Sequence, residues 1–183
     1  MHLEAREVGL GDGRRAVVRS IVAGDAEAFR AYLVALAQST TQIVTRPHEV
    51  EAVEHFRDRI GRVRSERGEL WVVGEAGGVI VGDCSLRVRE RQSLAHNGIV
   101  GIGVAEGWRG VGLGRAMLGT TIEWARAHEV LERVELSVLH TNRAGMRLYQ
   151  SFGFVREGVQ AKRIRQPDGT YADEVLMVVR VGD

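Results

Sequence analysis

The residues best suited to chemistry lie between Gly98 and Arg115, in the stretch GIVGIGVAEGWRGVGLGR. An apolar run ends at Val104, and Arg109-Gly110-Val111-Gly112-Leu113-Gly114 then leads into a helical pattern. The alternate glycines Gly110, Gly112 and Gly114 remove the Cβ atoms that would hold a ligand away from the main chain. Backbone N–H groups can then converge on one concavity, and the first turn of the helix adds unpaired donors and the positive end of its dipole. Such a loop suits a phosphate, the alternative being a glycine-rich turn that only caps a helix. Two nucleotide loops are excluded. The glycines follow G-x-G-x-G rather than the dinucleotide spacing G-x-G-x-x-G, and the chain has no G-x-x-x-x-G-K-[ST].

The strand before the loop narrows the ligand. By two-residue alternation Ile99, Gly101 and Gly103 share one face, while Val100, Ile102 and Val104 share the other. The first face is nearly bare, and glycine inside a strand marks a bulge or the close approach of a ligand. A bare strand running into a phosphate loop suits a long molecule with a diphosphate and an extended amide tail, as in coenzyme A.

These residues need a scaffold, and its elements are legible from hydrophobic period. Arg15–Ile21 reads as a strand, and Asp25 as the N-cap of a helix carrying Phe29, Leu33, Leu36 and Ala37 on one stripe. After Pro47, the residues Val50, Val53, Phe56, Ile60 and Val63 predict a second amphipathic helix. Beyond Gly68 the period shortens. LWVVGE, GVIVGDCSLRVRE and HNGIVGIGV read as strands, the first two joined by a hairpin at Ala76-Gly77-Gly78. A helix follows from about Gly112 to His128, then the strand RVELSV, a short helix over Asn142–Phe152, a strand opened by Phe154, and a last strand over Tyr171–Val181 after the turn Pro167-Asp168-Gly169. The sum is an α/β (α+β) chain with a mixed, mostly antiparallel central sheet of about seven strands and helices on both faces.

Composition sets the outer limits. The chain has 183 residues, 44% hydrophobic and 27% charged, which predicts one globular domain over residues 1–183. A formal net charge of +1 and three tyrosines argue against a nucleic-acid partner. With Cys84 as the only cysteine, no intramolecular disulfide and no thiolate metal cluster can form, and no metal is expected. The start, MHLEAREVGL, lacks the apolar core of a signal peptide, and no run of 18 apolar residues exists, so the expectation is a cytoplasmic protein without a membrane partner.

Arg109-x-x-Gly112-x-Gly114 resembles the pyrophosphate loop of the GNAT superfamily of N-acetyltransferases. The segment Asn142-Arg143-Ala144-Gly145-Met146-Arg147-Leu148-Tyr149-Gln150-Ser151-Phe152-Gly153-Phe154 resembles that family's N-x-x-A-x-x-L-Y-x-x-x-G-F signature. The ending Gly169–Met177 is similar to the branch that holds ribosomal-protein, polyamine and small-amine acetyltransferases. The resemblance implies the acyl-CoA N-acyltransferase fold and acetyl-CoA as cosubstrate. It places the pyrophosphate on the amides of Arg109, Gly110, Val111, Gly112, Leu113 and Gly114, and the pantetheine and acetyl group along Ile102, Gly103 and Val104. Arg109 and Arg115 would add positive charge, and Asn142 would serve as a helix N-cap, as a hydrogen-bond partner of the cofactor, or as both. Tyr149 would be the general acid that protonates the departing thiolate.

The general base is less plain. Many members of the family carry an acidic residue on the strand before the loop, where this chain has Ile99, Val100 and Ile102. His96 is the nearest titratable residue and is the candidate taken here, with Asp83, Glu174 and solvent as further acceptors of the proton. Cys84 as an acyl carrier stands against the reading of a buried strand cysteine. The expected activity is transfer of an acetyl group from acetyl-CoA to a primary amine, on a small molecule or a protein N-terminus, in a chain that can form a homodimer. The alternative is a non-catalytic acyl-CoA-binding or sensor domain on the same fold. The acceptor pocket is expected from the two early helices and the 89–97 segment.

Overall fold

The computed structural model describes residues 3–65 and 68–182. Among them the strands are β1 (Arg6–Gly9), β2 (Arg15–Ser20), β3 (Glu69–Ala76), β4 (Val79–Val88), β5 (Asn97–Val104), β6 (Arg133–Leu139), β7 (Val155–Arg165) and β8 (Tyr171–Arg180). The helices are α1 (Ala26–Ser39), α2 (Val53–Ser65), α3 (Leu113–Arg126) and α4 (Arg143–Gln150). The eight strands form one sheet in the order β1-β2-β3-β4-β5-β6-β8-β7. Every neighbouring pair is antiparallel except β5 and β6.

The centre of the sheet is buried on both faces, which is why β3 reads as the unbroken apolar run LWVV rather than as an alternation. Leu70 and Val72 join the core beneath α3, with Leu113, Met117, Leu118 and Ile122. Trp71 and Val73 join the opposite core beneath α1 and α2, with Phe29, Tyr32, Leu36, Phe56 and Ile60. The start of α3 lies close to the sheet because the register partners Gly74 and Gly82 have no side chains: a Cβ on Gly74 would meet Leu113 at 2.9 Å, and one on Gly82 would meet Met117 at 2.7 Å. Leu118 is fully buried, so Leu118→Ala is expected to lower the unfolding free energy by about 2–5 kcal/mol, seen as a lower urea midpoint with the slope retained.

The structure departs from the sequence expectations at three places. β1 adds an eighth strand. Its REVG has no alternation to read, and it is held at the sheet edge by pairing of Arg6–Gly9 with Arg15–Val18. Helix α2 begins at Val53; Val50 precedes it, after a single turn of 3-10 helix over Pro47–Glu49, yet is buried in the same core. Asp25 makes no side-chain cap to α1. Its carboxylate instead accepts from the Val22 N–H at 2.8 Å and pairs with Arg19 at 2.7 Å, a neighbour that no local pattern reveals.

Candidate active site

The site starts where β5 and β6 part. Their parallel pairing covers only Asn97–Ile99 against Arg133–Glu135, and the strands then splay. On its other edge β5 stays paired with β4 through Val104. Two bonds fix the phase of that ladder: Ala105 N–H donates to Val81 C=O at 2.9 Å, and Arg89 N–H donates to Asn97 C=O at 3.1 Å. By the alternation of an antiparallel pair, odd-numbered residues of β5 bond to β4 and even-numbered ones face β6. The N–H and C=O of Ile102 and the N–H of Val104 therefore point into the opening. The Val104 carbonyl accepts from Arg109 Nε at 2.9 Å.

The loop after β5 carries the second group of free donors. Gly110 and Gly112 have φ of +75° and +104°, a backbone region that favours glycine. The first intrahelical bond at the head of α3 is Ala116 N–H to Gly112 C=O, and no N–H from Gly110 to Arg115 has an acceptor among the described residues. The loop is clamped from outside, which the sequence did not disclose. Gly11 N–H donates to Val111 C=O at 2.8 Å, and Arg14 donates to Gly107 C=O at 2.7 Å while stacking 4.0 Å over Trp108. Turning the Val111 carbonyl outward leaves successive amides facing inward, the geometry of an anion nest.

Opening and loop belong to one cavity of about 700 Å3. Of the residues singled out in the sequence, Ile102, Gly103, Val104, Arg109, Gly110, Gly112, Gly114, Arg115, Asn142 and Tyr149 line it. Val111 and Leu113 do not: the first is held to Gly11, and the second is a fully buried core side chain, so only their amides bear on the site. Arg115 donates to Ser151 at 3.0 Å, and Arg147 is a further lining cation that the sequence reading passed over. Its signal was helical spacing, because it sits three residues after the cavity-lining Ala144 on the exposed side of α4. Asn142 caps α4 with Oδ1, which accepts from Gly145 N–H at 2.9 Å. Gly145 stands where the signature has alanine, and a Cβ there would press on the Asn142 amide at 2.9–3.0 Å. Nδ2 of Asn142 has no partner among the described residues, so one side chain can cap the helix and donate to a ligand together.

Tyr149 is buried at 7% exposure and packs on Phe154 with ring centroids 5.9 Å apart. Its hydroxyl makes no hydrogen bond among the described residues. Burial, with a contribution from Cys84, raises its pKa, so the phenol stays protonated at neutral pH. Cys84 faces the α3 core and is fully buried, with Thr121 donating to its sulfur at 3.3 Å. Burial pushes the thiol up to about 12, which leaves an inert cysteine and removes it as an acyl carrier.

His96 is a correction. It stands just before β5, seven residues ahead of Gly103, or about 23 Å at roughly 3.3 Å per strand residue. It does not line the cavity, and its carbonyl is taken by the Glu132 and Arg133 N–H groups beside the closed end of the β5–β6 pair. The 89–97 segment shares that remote end and does not wall the pocket. The other wall is built by Leu36 of α1 and the α1–α2 connection, with Thr40, Gln42, Ile43, Val44 and Thr45. That connection is tied across the opening by Thr141 donating to Gln42 at 3.1 Å and Arg46 donating to the Arg165 carbonyl at 3.0 Å. Among the described residues no His, Cys, Asp or Glu cluster suited to a metal occurs, and no helix is long and apolar enough to cross a membrane.

A family model described as the acetyltransferase (GNAT) family matches residues 32–154. Over 116 residues the chain is 28% identical to the L-amino acid N-acetyltransferase AaaT of Escherichia coli (strain K12), covering 63% of this chain and 71% of that protein. Its fold is similar to the crystal structure of a GNAT-family acetyltransferase from Streptococcus pneumoniae, with a TM-score of 0.86 and 26% identity over 91% of this chain and 99% of that one. It is also similar to a phosphinothricin acetyltransferase from Sinorhizobium meliloti in complex with acetyl-CoA, with a TM-score of 0.81 and 17% identity over 91% and 89% of the two chains.

Proposed function

The chain belongs to the acetyltransferase (GNAT) family, and from that premise we propose that it carries an acetyl group from acetyl-CoA to a primary amine by direct attack of the amine on the thioester. One observation supports this reading above the others. A row of unpartnered amides over Gly110–Arg115 shares a cavity with the free backbone of Ile102 and the unpartnered hydroxyl of Tyr149. In this reading the amides take the pyrophosphate, with Arg109, Arg115 and Arg147 adding charge. The pantetheine runs along β5 as an added half-strand, and a backbone N–H at Ile102 or Val104 polarises the thioester carbonyl. Asn142 Nδ2 donates to the cofactor. Tyr149 gives its proton to sulfur as the C–S bond breaks.

Residues 1–183 act in this proposal as one catalytic domain, working in the cytoplasm on a small-molecule amine or a protein N-terminal amine, with a homodimer as a possible assembly and no nucleic acid involved. The alternative, a non-catalytic acyl-CoA sensor, is disfavoured by Tyr149, whose hydroxyl has no structural use in the chain. Steady-state release of free CoA from acetyl-CoA, with a panel of amino acids, polyamines and short peptides, separates the two. Turnover with any amine supports the enzyme; tight acetyl-CoA binding without turnover supports the sensor.

A further inference from the structure

Attack on a thioester needs a neutral amine, while most primary amines arrive as ammonium, so a group on the acceptor side must take a proton. The strand before the loop supplies none. Its bare face, Ile99, Gly101 and Gly103, is continued on β4 by the register partners of those residues, Arg87, Ser85 and Asp83. Asp83 lies opposite Gly103, and a Cβ on Gly103 would meet the Tyr32 hydroxyl and Leu36 Cδ2 at 2.7 Å and Asp83 Oδ1 at 3.0 Å. Gly103 itself lines the cavity. The absent side chain thus leaves room for the Tyr32 hydroxyl and the Asp83 carboxylate directly behind the cavity wall that Gly103 forms.

The carboxylate is held from two elements. Tyr32 of α1 donates to Oδ1 at 3.0 Å, and Trp71 of β3 donates Nε1–H to Oδ2 at 3.3 Å. Both partners are buried and neutral, while Asp83 itself is half-buried. Arg59 of α2, stacked 4.6 Å over Trp71, acts on Asp83 through charge. The other charged or titratable groups around it are Arg109, which acts on Tyr32, and Cys84, whose side chain faces the opposite core. Glu174 lines the cavity and is engaged there, accepting from Ser137 at 2.6 Å with Arg163 at 3.8 Å.

We propose that Asp83 is the proton acceptor for the amine across one water, with Tyr32 and Trp71 as its positioning residues. This rests on the acetyl-transfer reading above. The ammonium gives one proton to Asp83, and the neutral amine forms the N–C bond at the thioester carbonyl. As the C–S bond breaks, Tyr149 protonates the thiolate and recovers a proton from the cationic nitrogen of the intermediate. Asp83 returns its proton to water, so the net products are the amide, CoA thiol and one proton. Desolvation pushes the Asp83 carboxyl up to about 6, against the Tyr32 and Trp71 hydrogen bonds and the Arg59 charge that lower it. That value suits a base working near neutrality.

The test is Asp83→Asn, which keeps the shape and one acceptor oxygen, assayed with the amine found best for the wild-type chain. Turnover is expected to fall by about 10²-fold, the low end for general bases because solvent takes over part of the deprotonation as pH rises. The acid limb of kcat/KM, expected near pH 6 in the wild type, is expected to disappear, with acetyl-CoA affinity unchanged. Tyr32→Phe removes a hydrogen bond to the charged form, so it should move the same limb to higher pH; a merely structural Tyr32 would change the thermal midpoint and leave the limb in place. Asp83→Asn with turnover within about threefold of wild type, or with the acid limb intact, overturns the assignment. A wild-type chain that acetylates no amine overturns the acetyl-transfer reading itself, a distinct result.

Discussion

Tyr149→Phe is expected to lower turnover by a factor of about 10²–10⁴ while acetyl-CoA affinity and the thermal midpoint stay close to wild type. The ring keeps its contact with Phe154, and the deleted hydroxyl makes no hydrogen bond among the described residues, so folding loses little. What is lost is a proton. Burial keeps the phenol pKa raised, whereas a free thiol titrates at about 8.5, so transfer from tyrosine to thiolate runs uphill unless the tyrosine is reprotonated in the same step. The cationic nitrogen of the intermediate provides that proton. Because a thiolate is already a fair leaving group, the low end of the range is the expectation. Measuring kcat and thermal midpoint on one preparation decides the matter: full activity in the phenylalanine variant removes the general-acid role and leaves the cofactor site untouched.

Gly112→Val is expected to raise the Kd for acetyl-CoA by about 10²-fold or more. A Cβ at this position meets nothing within 4 Å, so the new side chain stands in open space at the mouth of the amide nest. It would occupy the seat of the diphosphate rather than collide with the protein. The backbone φ of +104° adds strain, about 1–3 kcal/mol for a side chain in such a region, against a typical domain stability of about 5–15 kcal/mol. The variant should therefore fold. Gly169→Val is the control, because Gly169 also has positive φ (+84°) and open space but lies in the β7–β8 turn outside the cavity. Calorimetry should find acetyl-CoA binding lost in the first variant and kept in the second. Equal affinities in both would remove the phosphate-loop reading.

The features legible in the sequence are those fixed by local spacing. Period alone gave the main helices and the central strands, and the alternation in RVELSV matches Val134, Leu136 and Val138 buried in β6. The glycines of the loop were readable because a backbone that must present its amides cannot carry side chains there, and Tyr149 and Asn142 because their helix carries a recognisable signature. Tertiary structure alone decided what lies between elements distant in sequence. His96 fell out because its distance from the loop is set by the length and direction of β5, and proximity in sequence along a strand is separation in space. Asp83, one of several acceptors the sequence left open, was singled out only through the β4–β5 register, which sets it beside Gly103, and through α1, which delivers Tyr32 to its carboxylate. Gly11 and Arg14 hold the amide loop from the first hairpin, a contact with no local trace. Backbone conformation follows from a few neighbouring residues, whereas the partners of a carboxylate or a carbonyl follow from how sheet and helices pack, and that second kind of information decides the proton chemistry.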